Sequence, residues 1–151
     1  MKFRVFKDGQ AFTDFTLSGA YLFGADMIPL RHVDKIACSE GVIECEKKSR
    51  DSAGLALLWP IEGNGRLLLN TTRLPERNEP YNLNLELARA RLMQITLKRE
   101  DWSFFEQSEA FDARVQEIQE LFIQALQHIA EPARAAELAD ASLRKGIEFS
   151  E

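Results

Sequence analysis

The feature that most constrains this chain is a change of period at Pro80. Before it, apolar runs are short and broken by turn residues. After it, residues 83–102 contain no Gly or Pro, and apolar positions recur every three or four residues. A period of two suits strands and a period near 3.6 suits helices. Strands followed by helices predict an α+β protein.

In the first part, residues 2–6 alternate, with Phe3, Val5 and then Phe6 apolar, and Asp8-Gly9 follows as a turn signal. Residues 15–23 are aromatic or small, with Gly19 and Gly24 as bulge or turn points. Residues 35–38 and 42–48 read as the arms of a hairpin around Ser39-Glu40-Gly41. Gly-Leu-Ala-Leu-Leu-Trp-Pro-Ile at 54–61 is a strand-length apolar run. Glu62-Gly63-Asn64-Gly65 then turns the chain into a further strand over 66–71. Such short runs, spaced by about 8–12 residues, predict an antiparallel β-sandwich, jelly-roll-like, over residues 1–80.

In the second part, Asn82 is placed to cap a helix, and Leu85, Ala88, Leu92, Ile95 and Trp102 fall along one line. A second helix is predicted over 110–130 from Phe111, Val115, Ile118, Phe122, Ala125 and Ile129. Pro132 suits the first position of a third helix. That helix carries Ala135, Leu138, Ser142 and Leu143 and is predicted to end at Gly146 as its C-cap. This extension, 81–151, either packs on the sandwich or leads into a catalytic module outside the chain.

Charge and composition narrow the function. The 24 acidic and 19 basic residues leave a net charge of −5, which argues against a nucleic-acid partner. No stretch approaches the roughly 20 apolar residues of a membrane span. The start, Met-Lys-Phe-Arg-Val-Phe-Lys-Asp, has no apolar signal region, so the expected location is the cytoplasm. A three-residue hairpin loop pairs Cys38 with Val42 and a four-residue loop pairs it with Ile43. Neither register sets Cys45 opposite Cys38, so no disulfide is expected. With two histidines and no close Cys/His cluster, neither a metal site nor a cofactor is expected.

No nucleophile elbow, phosphate loop or dinucleotide fingerprint occurs, so no catalytic residue is assigned. Acidic neighbours such as Glu76 with Glu79 and Glu100 with Asp101 read as solvated charges. The candidate ligand-binding residues are Trp59, Tyr21, Tyr81, Arg73 and Trp102. An aromatic plane can stack on the C–H face of a sugar ring while the ring's polar edge keeps its hydrogen bonds. Core packing is the competing reading, because Trp59 ends an apolar strand and Trp102 lies on a helix's apolar line. In the charged connector 71–83, Arg73, Glu76, Arg77 and Glu79 read as an ion-pair network that orients the helix on the sheet, with Glu86, Arg89 and Arg91 able to join it. His32 reads as a loop residue, and His128 as one favoured by a helix C-terminus.

Several segments resemble a known region. Ala20-Tyr21-Leu22-Phe23-Gly24-Ala25-Asp26 with Ile28-Pro29-Leu30 is similar to a Tyr-Leu-x-Gly-x-Asp pattern. Leu57-Leu58-Trp59-Pro60, Gly65-Arg66-Leu67 and Thr72-Arg73-Leu74-Pro75-Glu76-Arg77 continue the likeness, which is strongest at Pro80-Tyr81-Asn82-Leu83-Asn84-Leu85-Glu86-Leu87-Ala88-Arg89 and closes at Lys98-Arg99-Glu100-Asp101-Trp102. Together, over about residues 16–105, they resemble the region preceding the catalytic module in bacterial, largely planctomycete, proteins similar to glycoside hydrolase family 10 enzymes, which are endo-β-1,4-xylanase-like. That family's catalytic glutamates lie on a (β/α)8 barrel of about 250 residues. Their motifs have no match here. The resemblance therefore implies a non-catalytic accessory domain that binds a β-glycan or oligosaccharide, with a catalytic barrel as partner in the full-length chain. The alternatives are a docking or homodimerising module without a ligand, and a stand-alone enzyme.

Overall fold

The computed structural model describes residues 1–30, 33–61, 65–102 and 109–150. The strands are β1 (Lys2–Arg4), β2 (Phe6–Lys7), β3 (Gln10–Ala11), β4 (Tyr21–Phe23), β5 (Val33–Ser39), β6 (Val42–Lys47), β7 (Gly54–Ile61), β8 (Gly65–Asn70) and β9 (Tyr81–Asn82). The helices are α1 (Leu83–Trp102), α2 (Glu109–Gln127) and α3 (Pro132–Ser150). The chain is a mixed α+β protein. His32 and the turn residues 62–64 lie outside the described residues.

Turn chemistry fixes two hairpins. Asp8-Gly9 and Glu40-Gly41 all take positive φ, which suits two-residue turns whose twist matches that of the flanking strands. The first closes β2 on β3. The second closes β5 on β6 with Ser39 opposite Val42 and Cys38 opposite Ile43. Cys45 pairs with Ile36 in that register, and both cysteines are free.

The strands divide into a sheet ordered β5-β6-β1-β9, a sheet ordered β4-β7-β8 and the β2-β3 hairpin. Pairing in the two larger sheets is antiparallel except between β1 and β9, which run parallel. This departs from the all-antiparallel expectation. The connector returns the chain alongside β1 and passes directly from β9 into α1, so the last strand arrives in the direction of the first. Tight approach also shapes the second sheet. A Cβ on Gly54 would lie 2.0 Å from the ring of Phe23 on β4, so that position has no room for a side chain.

Phe3 and Ile43 from one sheet, with Val5 just after β1, meet Leu22, Leu55, Leu57 and Trp59 from the other in a hydrophobic cluster. Leu83, Leu85 and Leu87 of α1, Phe122 and Ala125 of α2, and Leu143 and Ile147 of α3 join the same cluster. Fully burying each large apolar side chain contributes about 1.5–3 kcal/mol. The first six residues of α1, Leu83 to Ala88, are all buried, including Asn84 and Glu86, so the start of this helix passes through the core. Ile95, Val115 and Ile118 form a second, smaller cluster where the helices pack on each other.

The helix starts follow their caps. Asn82 Oδ1 accepts from the Leu85 amide at 3.4 Å, and its Nδ2 donates to the Pro132 carbonyl, joining the starts of α1 and α3. Two expectations fail. Helix α2 ends at Gln127, and Ile129 beyond it is 59% exposed. Gly146 does not end α3 but lies within it. There, an added Cβ would meet Arg91 Cγ at 3.0 Å and Ile95 Cδ1 at 3.3 Å, so the glycine allows α3 to pack closely on α1.

The connector's charges also differ from the expected network. Glu76 binds the Met1 ammonium at 2.8 Å and Lys47 at 3.2 Å. Arg77 donates to the carbonyls of Glu79 and Pro80 and lies 3.6 Å above the Tyr81 ring. Arg73 is exposed, and Glu86 pairs with Arg89 at 3.1 Å. Burying Tyr81 draws Arg77 onto the ring and leaves Glu76 to two cations from the start of the chain and β6.

Candidate functional site

Asn84 is polar between two buried leucines, and it organises the site. Its Oδ1 accepts from the Phe6 amide at 3.0 Å and its Nδ2 donates to the Phe6 carbonyl at 2.9 Å, so α1 holds β2 as a neighbouring strand would. The same Nδ2 donates to Asp140 Oδ1 of α3 at 2.8 Å. One amide thereby ties the hairpin, α1 and α3 together.

Above this node lies a cavity of about 450 Å³. Phe6, Lys7, Asp8 and Phe12 line it from the hairpin region, Trp59, Pro60 and Ile61 from the end of β7, and Asp140, Leu143, Arg144 and Ile147 from α3. The aromatic wall is tied to the core: Trp59 packs on Phe15 at 5.6 Å, and Phe15 meets Phe12 edge-on at 5.5 Å. Lys7 Nζ lies 5.1 Å from the Phe12 ring centre.

Burial pushes the Asp140 carboxyl up to about 7. The Asn84 hydrogen bond and the positive Arg144 oppose the rise, while Asp8 and Glu137 add to it. Asp140 is therefore a half-buried acid that changes charge near neutral pH, in the wall of a cavity with cations nearby. Elsewhere, burial pushes the Cys45 thiol up to about 11, so near neutral pH it is neither a thiolate nor a ready nucleophile.

The four candidate binding residues whose side chains are described, Trp59, Tyr81, Tyr21 and Arg73, do not converge. Of these four, Trp59, 7% exposed, lines the cavity. Tyr81 is buried against Phe3 and donates its hydroxyl hydrogen to the Pro75 carbonyl. Tyr21 is half-buried on β4 opposite Ala56, and Arg73 is exposed on the connector. Trp102 closes α1, but its side chain lies outside the described residues. Comparisons with protein-family models, curated proteins and solved structures find no match.

Sequence reading missed Asn84, Asp140, Lys7 and Arg144. One signal existed for the first two. Asn84 interrupts Leu83 and Leu85, and Asp140 falls on the α3 stripe of Ala136, Ala139, Leu143 and Ile147. A polar residue inside an apolar pattern needs a buried partner, and here each is the other's.

Proposed function

We propose that this chain is a non-catalytic accessory module of a glycoside hydrolase-like protein, and that it binds a β-glycan or oligosaccharide in the cleft between the β2-β3 hairpin, the end of β7 and α3. The observation that carries this reading is the cleft's mixed lining. Half-buried Phe12 and the edges of the buried Trp59 and Phe6 bring apolar ring surface to it, and Asp140, Arg144, Asp8 and Lys7 bring charged hydrogen-bonding groups. A sugar needs both, one for its C–H face and the other for its hydroxyls. In this reading the two larger sheets form a short, jelly-roll-like sandwich that supports the cleft. The xylanase-like setting rests on the resemblance of residues 16–105.

The test is calorimetric titration with xylo- and cello-oligosaccharides, with tryptophan emission followed in parallel. Saturable heat that Arg144→Ala removes while thermal unfolding stays unchanged supports the reading. No heat at about millimolar ligand, a Kd too weak to measure as binding, overturns it. Trp59→Ala is a poor first variant, because Trp59 belongs to the core as well as to the cleft.

A docking role has one observation in its favour. Met93 and Leu97, one turn apart on α1, are 51% and 61% exposed. Under that reading the chain self-associates in sedimentation experiments and Leu97→Gln makes it monomeric.

A further inference from the structure

We infer that the cleft is a subsite for the carboxylate of an acidic sugar, a uronate, with Lys7 and Arg144 as the cations that receive it. This deepens the sugar-binding reading and rests on it. Lys7 enters from β2 and Arg144 from α3, so two separate elements each bring a cation to the same cavity. Among the described residues, neither has a carboxylate within 4.0 Å. Two cations without a carboxylate partner among the described residues, facing one cavity lined partly by aromatic rings, fit an anionic ligand with an apolar face better than they fit a neutral one.

The other charges around Asp140 decide when this works. From the hairpin come Lys7 and Asp8. From α3 come Arg144 and Glu137, and Glu137 is already paired with Arg134. Helix α1 supplies the neutral Asn84, and β7 supplies Trp59, Pro60 and Ile61, which carry no charge. With Asp140 protonated, the two lining cations face a single lining carboxylate, Asp8. With Asp140 ionised, the charges cancel. Because burial holds this carboxyl near 7, a uronate can take up a proton at Asp140 as it binds. Protonated, Asp140 can also donate a hydrogen bond to the ligand. A neutral sugar gains less from that proton.

The experiment titrates the intact chain with trigalacturonate and with xylotriose from about pH 5.5 to about pH 8, using two buffers of different ionisation enthalpy to count protons. The expected result is preference for trigalacturonate at the acid end, with proton uptake. Its affinity should fall with rising pH, approaching about tenfold per unit well above the Asp140 midpoint. Asp140→Asn, which keeps the carbonyl that Asn84 donates to, should flatten this dependence. Lys7→Gln and Arg144→Gln should each weaken trigalacturonate binding more than xylotriose binding, and so shrink the preference for the uronate. Equal affinity for the two sugars, or uronate affinity independent of pH, overturns the inference but leaves sugar binding standing. If neither sugar binds, both fail. The pH series needs no substitution, so a variant that folds poorly does not compromise it.

Discussion

Two carboxyl groups, Glu76 and Asp140, sit at packed junctions of this protein and meet opposite fates. Burial alone would raise both. At Glu76, direct hydrogen bonds and charge from the Met1 ammonium and Lys47 outweigh burial and hold the acid below its ordinary range. At Asp140 the hydrogen bond comes from a neutral amide and Arg144 acts from farther away, so burial prevails. A carboxylate in contact with two cations is committed to structure. One held by an amide beside a cavity keeps a charge that can still change near neutral pH.

The largest expected effect comes from breaking the node that holds Asp140. Asn84→Ala strands the Phe6 amide and carbonyl and removes the donor to Asp140. It should cost about 2–4 kcal/mol, read as a shifted denaturant midpoint with an unchanged slope. Loss of less than about 0.5 kcal/mol would mean the amide is not what fastens β2 to the helices.

Glu76→Gln should cost less, about 1–2 kcal/mol near neutral pH, because the acid is partly exposed but its partners are not. The sign follows from its lowered folded pKa. Its contribution is present above the unfolded value of 4.5 and is lost as pH falls through the folded value. Acid unfolding curves of wild type and variant should therefore converge at the low end.

Asp140→Asn should act in the opposite direction. The folded pKa is raised from 3.8 to about 7, so the ionised form costs stability. That cost is absent below 3.8, grows as pH rises and is complete above 7. The variant should gain about 1 kcal/mol at alkaline pH, after allowance for solvent screening, and nothing in acid. A variant less stable than wild type at every pH would mean that the carboxylate is structural, as Glu76 is.

Arg144→Ala is the smallest change for the fold, within about 0.5 kcal/mol because the side chain is exposed, yet it should abolish ligand binding. Thermal unfolding and calorimetry on the same preparation separate the two effects.

What the sequence makes legible follows from how local each signal is. The break near Pro80, the Asn82 cap, the start at Pro132 and the turns at Asp8-Gly9 and Glu40-Gly41 are written within a few residues, and the structure realises them. The pairing of β9 with β1 depends on residues 78 positions apart, so no local pattern announces it. Gly146 reads as a helix end because a glycine alone does not reveal that Arg91 and Ile95 press against it from another helix. The cleft is the least legible part. Lys7 and Asp140 come from opposite ends of the chain, and Asn84, bonded to Asp140 and to Phe6 beside Lys7, brings them together only after α1 is buried. Among the aromatic residues that drew attention, Trp59 and Tyr81 are buried in the core. Of them, Trp59 reaches the cavity, while Tyr81 serves as a seat for Arg77.

The central claim is that a sugar occupies the space between the hairpin and α3, and chemical-shift mapping tests it most directly. Titrating a labelled chain with trigalacturonate, and separately with xylotriose, near about pH 6, below the point where the raised carboxyl is mostly ionised, should shift the Trp59 indole N–H and the amides of Lys7, Asp8, Asp140 and Arg144 together. Resonances of Glu76, Tyr81 and the connector should stay in place. Shifts confined to Tyr21 or to Met93 and Leu97, or none with either sugar, would contradict the account.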